Sequence, residues 1–392
     1  MTTTTNPLLK ARLEAILPAL IELRRHLHSH PELSGEEHQT AALISGELRQ
    51  CGWRVREGVG RTGVLAELGP QSGPQVGLRV DMDALPVEER TGLAYASLRQ
   101  GVMHACGHDI HSCIGLGVAR LLAQESSLPV GMRLLFQPAE ELAQGARWMR
   151  ADGATAGLSA LFGVHVFPTL PVGTIGVRSG SLTAAAGELE IEVIGEGGHG
   201  ARPHQSLDAI WIAARVVTGL QEAISRRLDA LNPVVVSFGK IEGGKAFNVI
   251  ADRVTLLGTV RCLCADLHER LPAWIEETVQ GICGSFGATA RVRYRCIAPP
   301  VRNDPTLTAL LERSAVEQLG AEQVQRLEQP SLGAEDFAEL LQDVPGSMFR
   351  LGVAGPDGCA PLHNGHFNPE ERALGVGVQV LTAAMLAWTP TP

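Results

Sequence analysis

Nowhere in its 392 residues does this chain hold the roughly 18 uninterrupted apolar residues of a membrane-crossing helix, and it has no run of Lys or Arg. With a formal net charge of −9 and a pI near 5.8, those absences argue against a membrane or a nucleic acid as the main partner. The Thr-rich start, Met1 to Leu9, lacks the basic segment and apolar core of a leader, so the chain is expected to be cytoplasmic. Its eight cysteines, at positions 51, 106, 113, 262, 264, 283, 296 and 359, are too sparse for a disulfide-stapled secreted scaffold. Most are read as reduced core residues. No internal repeat is visible, and no low-complexity tract beyond the initial Thr run. What is present is 45% hydrophobic content over a length sufficient for about two to three domains, the profile of a globular enzyme with a small-molecule partner.

Apolar residues at helical spacing between Leu9 and Gln50, interrupted at Pro31 and Gly35, predict two helices. Short apolar strands then alternate with helices: Val64 to Leu68, Val76 to Val80, a helix from Ile110 to Gln124, Gly131 to Gln137, a helix near Ala143 to Asp152, and Leu161 to Val166. That alternation predicts an α/β layer on a mixed, mostly parallel sheet. After Gly180 the pattern changes to the order βαββαβ, with strands near Glu188 to Ile194, Val234 to Ile241, Val254 to Arg261 and Thr289 to Ile297. This is the ferredoxin-like α+β signature, an antiparallel sheet with both helices on one face. Beyond Pro299-Pro300 the α/β pattern resumes. The expected organisation is a catalytic domain over 1–182 and 298–392 with a smaller domain, 183–297, inserted into it.

The chemistry-bearing residues begin with Met103-His104-Ala105-Cys106-Gly107-His108-Asp109, where a thiol and an imidazole two residues apart suit a metal. Read alone, the segment fits equally a buried thiol beside an incidental histidine. Glu140 and Glu141 follow the strand ending at Gln137; one could ligate a metal while the other takes a proton from an activated water, or both could be first-turn acids of a helix. His165, read as closing its strand, and His363, in a Gly/Pro-rich loop, carry the same ambiguity. All these positions are placed at or just after strand ends of one sheet, where loops converge, and that coincidence favours a shared metal site. Asp81, Asp83 and Asp109 would suit orientation of a ligand histidine or simple capping. His26, His28 and His30 are not read as ligands.

The motifs around Cys106 and His108, with Gln137-Pro138-Ala139-Glu140-Glu141, Gly163-Val164-His165, Gly197-Gly198-His199, Phe247-Asn248-Val249-Ile250 and Leu362-His363-Asn364, resemble the M20 metallopeptidase family. The likeness is to its amidohydrolase subgroup, which includes aminoacylases, hippurate hydrolases and hydrolases of indole-acetyl amino acids, and it runs from about Ile21 to Leu381. It implies two divalent metals, Mn²⁺ or Zn²⁺ with Ni²⁺ or Co²⁺ as alternatives, held by Cys106, His108, Glu141, His165 and His363. It implies Glu140 as general base and acid, His199 as stabiliser of the oxyanion, often from a partner subunit, and Asn248 and Arg261 as contacts to a substrate carboxylate. It further implies that the inserted domain serves as lid and dimerisation domain of a homodimer. The expected reaction is cleavage of an N-acyl amino acid or small peptide beside a free carboxylate, with a dipeptidase or carboxypeptidase of the same family as the alternative. A metal-free thiol hydrolase using Cys106 would leave Glu141, His165 and His363 without a purpose. The chain departs from the family at Leu142-Ala143-Gln144-Gly145, where many relatives carry a Gly-rich run, and substrate identity is what that departure affects.

Overall fold

A computed structural model describes residues 7–390, so the Thr-rich start before Pro7 lies outside the described residues. The chain forms two compact units, one running through Gly180 and including Arg302–Gln329 and the chain from Asp336 onward, the other Ser181–Val301 with Pro330–Glu335. Among the described residues no helix is long and apolar enough to cross a membrane.

The first unit is built on an eight-stranded mixed sheet. In spatial order its strands are Arg54–Val59, Gly63–Leu68, Gly131–Gln137, Gln75–Asp81, Leu158–Pro171, Gly346–Ala354, Ile175–Val177 and Val324–Arg326. The central pairings, from Gly131–Gln137 through Gly346–Ala354, are parallel. Strands Gln75–Asp81 and Gly131–Gln137 are buried at every residue, which is why they read as near-continuous apolar runs rather than alternations. Helices Pro7–Ser29, His108–Leu122 and Ala373–Ala387 pack on one another and close the core. Helix Pro305–Leu319 starts where it does because Asp304 accepts from the Thr306 and Leu307 N–H groups and Pro305 needs no donor partner in the first turn.

The strand containing His165 does not stop at Val166. It continues to Pro171, because its parallel pairing with Gly346–Ala354 carries on through Leu351 and Gly352. Cys106 and His108 likewise do not follow a strand directly; they end a long loop after Asp81, with His108 the first residue of its helix. Gly107 makes that entry possible. It holds φ 80°, and a Cβ there would lie 2.6 Å from Val166 Cγ2, so only glycine fits the turn that aims Cys106 and His108 together.

The second unit has the order strand Ala185–Ile194, helix Ala209–Arg227, strands Val234–Gly243 and Arg253–Cys262, helix Ala265–Gly284 and strand Thr289–Ala298. Counting strands along the chain, the antiparallel sheet runs 2-3-1-4, the ferredoxin-like arrangement. Leu189, Ile191 and Val193 alternate toward the helices, while Glu188, Glu190 and Glu192 face outward and pair with Arg295, Arg293 and Arg291 of the neighbouring strand.

Candidate active site

The large sheet, its loops and the start of helix His108–Leu122 bring Cys106, His108, Glu140, Glu141, His165 and His363 together. Ligand-type atoms of Cys106, His108 and His165 lie within 4.8 Å of one another, as do those of Cys106, Glu141 and His363, and those of His108, Glu140 and Glu141. Cys106 Sγ is 3.6 Å from His165 Nε2, and His363 Nε2 is 3.4 Å from Glu141 Oε1.

Hydrogen bonds around the rings fix which nitrogen faces the cluster. His165 Nδ1 lies 2.8 Å from the Val166 carbonyl, which can only accept, so the proton sits on Nδ1 and Nε2 keeps its lone pair. His108 Nδ1 lies 3.2 Å from Asp83 Oδ1, leaving Nε2 for the cluster. Asp83 also accepts from Ser34 Oγ at 2.7 Å and from the Glu141 N–H at 3.1 Å, so one carboxylate orients both a histidine and the loop of the second donor. His108 Nε2 and Glu141 Oε1 are buried and have no hydrogen-bond partner. A buried imidazole nitrogen and a carboxylate oxygen without a hydrogen-bond partner, set beside a thiol and two further imidazoles, are what a cation would satisfy, so the donor set fits divalent metal ions.

His111 was not anticipated, although it follows His108 by one helical turn. Its Nδ1 donates to Asp81 at 2.6 Å and its Nε2 accepts the Val166 N–H at 2.9 Å, so both nitrogens are committed and it is not available as a ligand despite lying near His108. It fixes the backbone beside His165 instead. Asp109 turns away from the cluster and binds Arg24 Nε at 2.9 Å and His28 Nδ1 at 2.8 Å; His28 also meets Glu89 at 3.3 Å. His28 is therefore a buried ion-network residue, while His26 and His30 stack at 4.4 Å one turn apart. Asp336 is buried against Arg79 at 3.0 Å and Gln137 Nε2 at 2.7 Å.

Electrostatics follow burial and charge. Burial pushes the Cys106 thiol well above its usual range, which makes a metal-free Cys106 a poor nucleophile. Burial opposes charge on His108, but Asp81 beside it, with Cys106 and Asp83, holds its pKa well above that of an ordinary histidine. His165 moves the other way, lowered by burial and by His111 and Arg350. Glu141, whose Oε1 lies 3.4 Å from His363 Nε2, raises His363.

The loop carrying the two glutamates is strained. Ala139 and Ala143 hold φ of 48° and 51°, and His363 holds 61°, conformations that non-glycine residues adopt only when their surroundings insist. His199, Asn248 and Arg261 lie in the second unit. There the exposed His199 pairs with Val249, and Gly200 N donates to the Asn248 carbonyl at 2.9 Å, which brings His199 and Asn248 side by side. The Ala201 N–H donates to His199 Nδ1 at 3.1 Å, so the ring's proton is on Nε2. Arg261 donates to Thr259 Oγ1 and the Val260 carbonyl.

Imidazole, thiol and carboxylate donors gathered beside a second, adjacent carboxylate are the makings of a hydrolytic centre. The chain belongs to peptidase family M20/M25/M40, whose model matches residues 77–387, and it is a hydrolase. It is 52% identical over 385 residues to a protein of Synechocystis sp. designated a hydrolase, covering 97% of this chain and 98% of that one. An N-acetyl-L-cysteine deacetylase of Bacillus subtilis is 40% identical over 357 residues, 91% of this chain and 84% of the relative. A crystal structure of a dinuclear metal-binding M20 peptidase from Bacillus subtilis superposes with a TM-score of 0.84 at 35% identity, covering 95% of this chain and 98% of that one.

Proposed function

We propose that the protein is a dinuclear metallo-amidohydrolase that cleaves the amide bond of N-acyl amino acids, or of small peptides, beside a free carboxylate. The observation that carries this reading is the pair of bare, buried donor atoms, His108 Nε2 and Glu141 Oε1, inside a cluster with Cys106, His165 and His363. Those five residues would hold two divalent cations, Mn²⁺ or Zn²⁺ foremost. When bound, the metals would supply Lewis-acid polarisation of the amide carbonyl and lower the pKa of a water.

Glu140 takes the proton from the attacking water and returns it to the leaving amine. Its neighbour Glu141 is committed as a donor to the cluster, and the strained backbone between Ala139 and Ala143 keeps the two carboxylates in separate roles. His199, with its Nε2 proton free to donate, stabilises the oxyanion of the tetrahedral species, and Asn248 and Arg261 bind the substrate carboxylate. The deacetylase relative supports an acyl group on an amino acid as the substrate class, and the dinuclear peptidase neighbour supports two metals. A homodimer through the second unit fits its open sheet edge, Val234–Gly243, and the exposed Ile241 and Phe247 near it.

The test is Glu140→Gln assayed on acetyl, benzoyl and indole-acetyl amino acids. The expected result is a loss of about 10² to 10⁴ in kcat with bound metal retained. Wild-type turnover in that variant would end the proposal. Sedimentation that finds only monomer at assay concentrations would remove the dimer from it.

A further inference from the structure

We propose that Glu37, steadied by Thr62, is a positioning residue for the general base, acting through the backbone of Ala139; the inference rests on the reading of Glu140 as that base. Glu37 stands at the N-cap position of helix His38–Gln50, where an acidic side chain ordinarily bonds the first-turn N–H groups. It makes no such bond. That task falls to Glu32, whose carboxylate accepts from Gln39 N at 3.1 Å and Thr40 N at 2.8 Å. Glu37 instead reaches across 102 residues of sequence to accept the Ala139 N–H at 2.8 Å.

Its environment is costly to maintain without a purpose. The side chain is buried with 0% exposure, and its bonding is to the N–H groups of Gly35 and Ala139 and to the Thr62 hydroxyl at 2.5 Å. A buried carboxyl held by neutral donors is retained where its geometry matters. The geometry in question is Ala139 at φ 48°, the residue immediately before Glu140. Without a bond to its N–H, that alanine would relax toward the ordinary region and turn Glu140 with it.

The donor side is braced in the same way. Thr62 follows Arg61, a further non-glycine residue at positive φ (78°), in the tight turn between strands Arg54–Val59 and Gly63–Leu68. The Arg61 guanidinium lies 3.7 Å from the Trp148 ring centroid, and Gly60 N donates to Asp152 Oδ2 at 2.7 Å. Trp148 belongs to the helix that leaves the Glu140–Glu141 loop. The hairpin turn, Glu37 and the loop therefore form one closed brace within the first unit, with the strained residues Arg61, Ala139 and Ala143 placed around it.

The experiment compares Glu37→Ala, Glu37→Gln, Thr62→Val and Glu140→Gln in the full chain, metal-loaded for kinetics and metal-free for amide hydrogen exchange. Glu37→Ala is expected to lower kcat by about tenfold or more while KM for an acetyl amino acid and metal content stay near wild type. Exchange over residues 139–141 of the metal-free protein should quicken. Glu37→Gln, whose amide oxygen can take the Ala139 N–H while its NH₂ faces Thr62, should restore both. Unchanged kcat and exchange in Glu37→Ala, failure of Glu37→Gln to rescue, or KM and metal content falling together with kcat would each overturn the proposal. Should Glu37→Ala not fold, Thr62→Val decides: without the hydroxyl that steadies Glu37, kcat should fall and exchange over residues 139–141 should quicken while KM and metal content stay near wild type, and unchanged kcat and exchange would refute the idea. Turnover surviving in Glu140→Gln would defeat the base assignment itself, whereas an inactive Glu140→Gln beside a wild-type Glu37→Ala defeats only the positioning role.

Discussion

Gly145→Ala tests how tightly the glutamate loop is built. A Cβ at position 145 would lie 1.5 Å from the Pro138 carbonyl oxygen and 2.7 Å from its carbon, where real Cβ atoms stay beyond 3.0 Å. The loop would have to open by at least the difference, 3.0 − 1.5 = 1.5 Å. Retreat on the helix side is blocked, because Asp336 Oδ2 holds the next N–H, that of Ala146, at 3.1 Å, and Gly145 N itself donates to the Ala139 carbonyl at 3.1 Å. The displacement therefore passes to Pro138 and on to Ala139, Glu140 and Glu141. A misplacement of about 1 Å at a reacting group costs on the order of 10² in rate, so kcat should drop by about that factor or more. Overpacking of this kind destabilises by about 1–3 kcal/mol, which leaves a domain of this size folded. Steady-state kinetics beside thermal unfolding and metal analysis provide the assay. A folded Gly145→Ala protein with wild-type kcat would show that the loop has slack that these contacts deny.

Asp83→Ala should weaken metal binding by about 10- to 100-fold, measured by competition with a chromogenic chelator, because it frees both His108 and the Glu141 backbone. Glu89 gives a pH-dependent prediction: burial acts to raise its pKa, but bonds from His28, Thr91 and Ser97 hold it at about 2, below its ordinary 4.5. A depressed carboxylate stabilises the fold above its unfolded pKa and loses that contribution as pH falls, so the wild-type unfolding temperature should decline from about pH 4.5 toward 2 more steeply than that of Glu89→Gln. Its partner His28 is raised, with burial opposed by the bonds to Asp109 and Glu89; that contribution is complete below pH 6.5 and fades as pH rises through the folded value. Superimposable pH profiles of the two proteins would contradict the network.

Much of the architecture was legible because its signals are local. Central strands such as Gly131–Gln137 announce themselves as near-continuous apolar runs, and Glu188 to Ile194 alternates as a one-sided strand should. The outer elements were not legible: Arg54–Val59 is mostly exposed and half of it is charged, and Ile175–Val177 and Val324–Arg326 are three residues each. Their strand character comes from the neighbour they pair with rather than from their own composition. The candidate donors could be read from their motifs, and Asp83, expected to orient a ligand histidine or to cap, does bond His108, but other supporting residues could not be read. His111 acts through its ring nitrogens, on Asp81 and on the Val166 N–H, and Glu37 acts over a distance in sequence that no periodicity encodes. Glu37 even occupies the place where a local reading would assign it to helix capping.

The central claim is that Cys106, His108, Glu141, His165 and His363 hold the metals on which hydrolysis depends. Elemental analysis of the purified protein, paired with amidohydrolase assays before and after chelation and metal restoration, tests it directly. The account predicts about two divalent ions per chain, activity lost on their removal and regained on their return, and a reduced ion count in Cys106→Ala. Full activity in protein stripped of metal would contradict it.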